Sequence, residues 1–118
     1  MDKRPHRNLD VWKKSMSFTK EIYQITESFP KTELYGLISQ MRRAAVSIPS
    51  NIAEGAARKG IKEFKQFINI AQGSISELDT QIELSMMLKY FNNEIYDNLT
   101  EKLATISKML FGLSRSLK

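Results

Sequence analysis

Residues 34–56, LYGLISQMRRAAVSIPSNIAEGA, carry the pattern that decides the fold. Apolar residues recur along this stretch at steps of three and four, which is the period of an amphipathic helix. Pro49 lies inside the pattern, where a proline costs ~3 kcal/mol because it removes a donor and clashes with the carbonyl four residues earlier. The apolar stripe nevertheless keeps its phase on both sides of Pro49. We therefore predict one helix that is kinked at Pro49 rather than two separate helices.

Three further helices are predicted from the rest of the chain. They run from a cap at Asn8 to Phe29, from just after Gly60 to about Tyr90, and from the Asn92-Asn93 break to about Ser116. The helix that contains Pro49 is expected to be capped by Thr32. No segment alternates with period two, and short connectors make neighbouring helices antiparallel. The prediction is an all-α, antiparallel up-down-up-down four-helix bundle over residues 8–118, preceded by a flexible basic tail over residues 1–7.

The composition is that of one globular domain. The 118 residues are 42% hydrophobic and 26% charged, and they include no cysteine. Disulfides and thiolate metal sites are therefore excluded. The charged N-terminus is followed by no apolar core of a signal peptide, and no apolar run is long enough to span a bilayer. We expect a cytoplasmic protein that does not enter a membrane.

The positive charge is concentrated in the first half of the sequence. Residues 1–65 hold 13 Lys/Arg and 7 Asp/Glu, whereas residues 66–118 hold 5 and 6, within a net charge of +5. Such an asymmetry is compatible with a polyanionic partner, although many basic proteins bind no nucleic acid.

The sequence offers little that is typical of an enzyme. His6 is the only histidine and lies in the predicted tail, and no Glu-x-x-His pair is present to hold a di-iron centre. Gly55 and Gly60 have the spacing of a phosphate-binding loop, but Ile61 and Lys62 occupy the positions of its lysine and hydroxyl residue. We therefore predict no catalytic residue, no metal site and no cofactor.

Two polar ribbons run beside the apolar stripes of the second and third helices. Their members recur at three and four residues and are Gln40, Arg43, Ser47, Asn51, Glu54 and Arg58 on the second helix and Ser74, Glu77 and Gln81 on the third. A solvated surface explains this pattern as well as a contact between subunits does. In the second interpretation Gly73, Ala44 and Ala45 allow close approach of two helices.

Cationic side chains cluster around the second helix and its exit. They are Arg42, Arg43, Arg58, Lys59, Lys62 and Lys65, with Lys13 and Lys14 on the first helix. Such residues contact phosphates and supply affinity without much sequence information. The alternative is that they are solvated, some of them paired with Glu54 or Glu63. Assembly of several copies around an axis would multiply the charges into a ring and favour anion binding.

Two blocks of the sequence resemble a known family. Residues 40–55, QMRRAAVSIPSNIAEG, and residues 71–81, AQGSISELDTQ, are similar to the hallmark blocks of the four-helix bundle proteins encoded in intervening sequences of bacterial 23S ribosomal RNA genes. Asn8 to Trp12 and Phe29-Pro30 fit the same pattern. The resemblance covers essentially residues 8–118. A related branch of the family is the accessory variability protein of diversity-generating retroelements.

This resemblance implies a barrel-like homopentamer with a basic central channel, which in the related branch is linked to nucleic acid and to a reverse transcriptase. Arg42, Arg43, Arg58 and Lys59 would then contact phosphates, with Lys62, Lys13 and Lys14 as further candidates. The residues given a structural or interface role are Ser47, Pro49, Asn51, Glu54, Gly55, Gly73, Ser74, Glu77 and Gln81.

The leading prediction for function is a non-enzymatic, homo-oligomeric bundle that binds nucleic acid, RNA rather than DNA, through a basic surface or channel. The alternative is a protein-interaction scaffold or an accessory subunit for a nucleic-acid enzyme such as a reverse transcriptase.

Overall fold

The residues that the structure describes form four α-helices, as the periodicity predicts. The computed structural model describes residues 4–118, and its helices are α1 (Asp10–Thr26), α2 (Ser39–Ala56), α3 (Ile61–Met87) and α4 (Asn93–Ser116). Each helix packs against the next in sequence, and α1 also contacts α4, so the bundle closes on itself. The up-down-up-down arrangement of an antiparallel bundle is confirmed.

Aliphatic side chains from all four helices fill the core. The largest ones that are almost completely buried are Ile22, Met41, Ile48, Ile52, Ile68, Leu78, Ile82, Leu99, Leu103, Ile106 and Leu110. Within each helix they are spaced mostly by three, four or seven residues, so one stripe of each helix faces the centre.

A short 3-10 helix, Pro5–Asn8, precedes α1 and packs against α1 and α2. The ring of His6 lies 4.9 Å from that of Trp12, and the guanidinium of Arg7 lies 5.2 Å from the same indole ring. The predicted boundary between a tail and the bundle, at residues 7 and 8, falls inside this 3-10 helix. Residues 1–3 of the predicted tail lie outside the described residues. The α-helix itself begins at Asp10 rather than at Asn8.

The entry into α2 differs from the prediction of an unbroken helix capped by Thr32. Residues 31–33 form a 3-10 turn and residues 34–38 a π-helical turn, and Gly36 has non-helical angles of φ −110° and ψ −116°. The cap is Glu33, whose carboxylate accepts hydrogen bonds from the amide of Leu37 at 3.2 Å and from the hydroxyl of Tyr90 at 2.8 Å. A Cβ on Gly36 would lie 2.6 Å from Glu33 Oε1, so the glycine makes room for this cap.

Helix α2 continues through Pro49, as predicted from the unbroken apolar stripe. The proline leaves the carbonyl of Ala45 without its helical donor. Neither Ser47 nor Ser50, the serines on either side of the proline, makes a hydrogen bond to that carbonyl. The hydroxyl of Thr19, on the neighbouring α1, lies 3.0 Å from the Ala45 oxygen.

Helix α3 ends at Met87, three residues before the predicted Tyr90. Lys89 follows in the left-handed region with φ 61°. Its amide donates to the carbonyl of Met86 at 3.0 Å, and the amide of Tyr90 donates to that of Ser85 at 2.9 Å. This pair of bonds is a Schellman motif, in which glycine is the usual residue at the left-handed position.

The helices α2 and α3 approach closely next to their connection. A Cβ on Gly55 would lie 2.8 Å from Phe64 Cδ1 and 2.8 Å from Phe67 Cβ. Because the absence of a side chain lets the two phenylalanines pack on the helix backbone, the predicted structural role of Gly55 has a direct physical basis.

Candidate nucleic-acid interface

Arg42, a predicted phosphate contact, joins α2 to α1. Its guanidinium donates to Thr26 Oγ1 at 3.0 Å, to the Tyr23 carbonyl at 3.2 Å and to Glu27 Oε2 at 3.1 Å. It also lies 4.7 Å from the centre of the Tyr23 ring. With these partners inside the chain, Arg42 acts as a clamp between two helices and already uses three of the five N–H donors of its guanidinium.

Arg43 points elsewhere, since adjacent residues on a helix are about 100° apart. It lines a polar cleft of about 360 Å³ between α2 and α3, together with Gln40, Ala44, Ser47 and Glu77. The structure gives its guanidinium no hydrogen bond or ion pair with another described residue. Arg43 is therefore the member of the Arg42-Arg43 pair that is available to a ligand.

Arg58 is partly engaged within the chain. Its guanidinium lies 3.8 Å from Glu54 Oε2 and 5.0 Å from the centre of the Phe67 ring. The ion pair is largely exposed, so it contributes little to stability and leaves Arg58 able to exchange Glu54 for a phosphate.

The lysines at the connection between α2 and α3 are accessible to a ligand. Lys59 and Lys62 are exposed, and neither makes an ion pair with a described residue. Lys13 and Lys14 lie on the other side of the bundle, where they line a groove of about 360 Å³ between α1 and α4. That groove also contains Glu21, which binds Lys102 Nζ at 2.8 Å. The seven predicted cations therefore do not form one cluster.

The antiparallel topology gathers charge of one sign at one end of the bundle. Dividing each helix at its midpoint places residues 4–17, 48–73 and 105–118 in the half that contains the α2–α3 connection. This basic half holds eleven Lys/Arg and three Asp/Glu, whereas the opposite half, residues 18–47 and 74–104, holds six and nine. The eleven are Arg4, Arg7, Lys13, Lys14, Arg58, Lys59, Lys62, Lys65, Lys108, Arg115 and Lys118. The asymmetry between sequence halves becomes an asymmetry between the ends of the molecule.

Three of these cations lie outside residues 1–65, the part of the sequence in which the positive charge is concentrated. Lys108, Arg115 and Lys118 belong to α4 or follow it, yet they lie in the basic half because α4 ends there. An even number of antiparallel helices returns the chain to the end where it began. That rule, applied to the predicted topology, would have found them.

The polar ribbons of α2 and α3 meet in a chain of hydrogen bonds. Asn51 Nδ2 donates to the Ser47 hydroxyl at 3.0 Å, Ser47 Oγ lies 2.8 Å from Ser74 Oγ, and the Ser74 hydroxyl donates to the Ile70 carbonyl at 3.3 Å. Ser47, Asn51 and Ser74 thus satisfy one another's polar atoms across α2 and α3.

The remaining ribbon residues do not join this chain. Glu54 faces Arg58, and Gln81 Nε2 makes only a long contact of 3.4 Å with Glu77. The oxygen Gln81 Oε1 is buried without a hydrogen-bond partner. Gly73 faces open space, since a Cβ built there meets nothing within 4 Å. Pro49 lies on the other side of α2 and lines a groove with α1.

Residues 4–118 include no group of three or more His, Cys, Asp or Glu side chains placed to hold a metal ion. None of the helices in that range is both long and apolar enough to cross a membrane.

A sequence profile described as 23S rRNA-intervening sequence protein matches residues 7–112, which is most of the chain. The chain belongs to the 23S rRNA-intervening sequence protein family. Both hallmark blocks, residues 40–55 and 71–81, lie within the matched region. The resemblance stated from these blocks is thereby confirmed.

A solved structure has the same fold as this 23S rRNA-intervening sequence protein. It is a protein of unknown function from the S23 ribosomal protein family of Bacteroides thetaiotaomicron, and it superposes with a TM-score of 0.79 at 24% identity. The match covers 88% of this chain and 97% of that one. No curated protein matches this 23S rRNA-intervening sequence protein.

Proposed function

We propose that this protein is a non-enzymatic homo-oligomer that binds nucleic acid, RNA in preference to DNA, through the basic half of its bundle. The observation that carries the proposal is the distribution of charge, with eleven Lys/Arg against three Asp/Glu in that half and an acidic excess in the other. A surface of one sign attracts a polyanion and raises its local concentration.

The geometry that supports the proposal is that the cations at the α2–α3 connection are exposed and unpaired or only weakly paired. Lys59 and Lys62 are exposed and make no ion pair with a described residue, and Arg58 has only a weak surface pair to give up. The end of α2, the start of α3 and the short connection between them hold these side chains on a rigid scaffold. The mechanism is electrostatic: Lys and Arg side chains that contact phosphates displace the counterions condensed on the nucleic acid, and affinity comes without base recognition.

Self-association strengthens such binding because it repeats the same charges around an axis. The family resemblance implies a pentamer, in which five basic halves would form one ring. The exposed apolar side chains of α1, α2 and α3 supply surface for that association, among them Met16, Val46, Ile70 and Leu84.

Filter binding of a labelled single-stranded RNA over a series of salt concentrations tests the proposal, with DNA of the same sequence as the comparison. The expected result is an affinity for RNA that falls steeply with salt. Replacing Lys59 and Lys62 together by alanine should lower the magnitude of the slope of log K against log salt by about 1.4, from ~0.7 for each lost phosphate contact.

The matched control changes two cations of the opposite half, Lys31→Ala with Lys89→Asn, because asparagine accepts the left-handed backbone at position 89. This control should leave both affinity and slope near the wild-type values. Absence of RNA binding at low salt, or equal effects of the two double variants, would refute the assignment to the basic half.

A further inference from the structure

The polar cleft between α2 and α3 brings a cation and an anion together without pairing them. Arg43 on α2 and Glu77 on α3 both line this cleft, which we call the α2–α3 cleft. Neither side chain forms an ion pair with another described residue. The volume of about 360 Å³ lies within the range of about 300–1,000 Å³ that is usual for small-molecule sites. Two opposite charges therefore line one cavity of ligand size.

The α3 wall of the cleft has more hydrogen-bond acceptors than donors. Gln81 follows Glu77 by one helical turn, is only 4% exposed, and places its Nε2 3.4 Å from Glu77 Oε2. The other amide atom, Gln81 Oε1, is buried without a hydrogen-bond partner among the described residues. Buried side-chain oxygens in folded proteins almost always have a partner, so an unsatisfied acceptor beside Glu77 indicates a donor from outside the chain.

The α2 wall has a surplus of donors. The guanidinium of Arg43 is a planar fork of N–H groups that matches the two oxygens of a carboxylate. Gln40 and Ser47 line the cleft about one turn before and after Arg43. The hydroxyl of Ser47 lies 2.8 Å from that of Ser74 on α3, so a hydrogen bond joins the two walls at this end of the cleft.

The surroundings select against a simple anion or a simple cation. Arg43 and Glu77 both lie in the half of the bundle opposite the basic half, which holds nine Asp/Glu and six Lys/Arg. Glu77 would repel a phosphate placed at Arg43, and Arg43 would repel a free cation placed at Glu77. A small molecule that carries both charges is complementary to both walls.

We propose that the α2–α3 cleft binds a free α-amino acid with a small polar side chain. Its carboxylate accepts hydrogen bonds from Arg43, and its ammonium group, which has several N–H donors, donates to the acceptors of the α3 wall at Glu77. The amide of Gln40 and the hydroxyl of Ser47 suit a polar side chain. The site is separate from Lys59 and Lys62, so it does not depend on RNA binding.

Three matched ligands test the need for both charges. They are L-serine, 3-hydroxypropionate, which lacks only its ammonium group, and ethanolamine, which lacks only its carboxylate. Isothermal titration calorimetry with the full chain should show saturable binding of L-serine. Its affinity should exceed that of either analogue by about tenfold or more, because each analogue loses one charge-assisted contact. Absence of saturation by L-serine, or an equal affinity for either analogue, would overturn the proposal.

Two variants assign the charges to their walls. Glu77→Gln should lower the affinity for L-serine about tenfold or more without lowering that for 3-hydroxypropionate, and Arg43→Gln should do the same without lowering that for ethanolamine. Asp79→Asn is the matched control, since Asp79 is an exposed acid on α3 that does not line the cleft. It should leave all three affinities unchanged, and circular dichroism checks that each variant is folded. Equal losses for all three ligands in either charge variant would contradict the assigned contacts.

Filter binding of RNA separates this inference from the proposed function. Arg43→Gln and Glu77→Gln should bind RNA as wild type does, because both positions lie outside the basic half. If Arg43→Gln weakened RNA binding as much as the Lys59 and Lys62 double change, the cleft would be a phosphate site and the amino-acid proposal would fall. If L-serine bound with the expected selectivity while RNA did not bind, the proposed function would fall and the cleft would stand.

Discussion

The hydroxyl of Thr19 lies 3.0 Å from the carbonyl oxygen of Ala45, the acceptor that Pro49 deprives of its helical donor. The same hydroxyl lies 2.8 Å from the carbonyl of Ser15, so its single hydrogen serves two acceptors. A side chain on α1 thus compensates for a proline in α2, and the proline is compatible with the bundle because the two helices are neighbours.

Thr19→Val should therefore destabilise the protein by about 1–2 kcal/mol, since a partly buried carbonyl loses its partner. Urea unfolding followed by circular dichroism measures the loss. In a background with Pro49→Ala, which restores the amide donor to Ala45, the same threonine change should cost clearly less. An equal cost in both backgrounds would show that the hydroxyl does not serve the carbonyl that Pro49 frees.

The adjacent residues Arg42 and Arg43 should differ sharply in their effect on stability. Arg42→Ala removes hydrogen bonds to Thr26, Tyr23 and Glu27 and should lower the free energy of unfolding by about 1–2 kcal/mol. Arg43→Ala removes no hydrogen bond or ion pair with a described residue and should stay within about 0.5 kcal/mol of wild type. Denaturant midpoints of the two variants measure the difference. Similar midpoints would argue that Arg42 is not a clamp.

Lys89→Gly should stabilise the protein, because Lys89 holds the left-handed position of the Schellman motif after α3. The left-handed conformation costs a residue with a Cβ roughly 1 kcal/mol, and glycine does not incur this cost. The expected gain is about 0.5–1 kcal/mol, because glycine also loses more freedom on folding. Thermal unfolding checks the sign of this effect. The comparison is Lys108→Gly, which places a glycine inside α4 and should destabilise the protein. A lower melting temperature for Lys89→Gly would contradict the motif.

The bond between Tyr90 and Glu33 should make stability depend on alkaline pH. Its hydrogen bond to the Glu33 carboxylate raises the pKa of Tyr90 above the ordinary value of 10.0, with smaller contributions from burial and from the charge of Glu33. The folded protein holds the phenol proton more tightly than the unfolded chain does. The stabilisation that the Tyr90–Glu33 hydrogen bond contributes is therefore fully present below pH 10 and is lost as the pH rises through the raised pKa of Tyr90.

Urea midpoints measured on both sides of pH 10 test this expectation. Tyr90→Phe should show a smaller decline above pH 10 than wild type. Tyr35→Phe, at a side chain that is 92% exposed, should decline as wild type does. Part of the decline should remain in Tyr90→Phe, because a bond to Glu83 also raises the pKa of Tyr96. Equal slopes for all three proteins would contradict the role of the Tyr90 bond.

The apolar stripes are the part of the fold that can be predicted most directly from the sequence. A period of 3.6 residues placed Ile48 and Ile52 in the core on either side of Pro49, and it predicted that the helix runs through the proline. Periodicity carries no information about which polar atoms meet between helices. Thr19 occupies an unremarkable position on α1, so its contact with Ala45 depended on the pairing of the two helices.

The candidate site was predicted in composition but not in geometry. Arg42 and Arg43 look equivalent as a pair in the sequence, yet one helical step directs the first toward α1 and the second toward α3. The end of α3 was misplaced because a lysine, rather than a glycine, occupies the left-handed position that stops the helix.

The uneven charge of the two bundle ends has a thermodynamic consequence for assembly. Any cyclic arrangement sets equivalent ends at one height along its axis, so the basic halves of neighbouring copies would repel one another. A polyanion that binds across several copies relieves this repulsion and favours the assembled state. By reciprocity, the factor by which the polyanion tightens assembly equals the factor by which assembly tightens its binding. Empty protein at low salt should therefore assemble less readily than the same protein saturated with RNA.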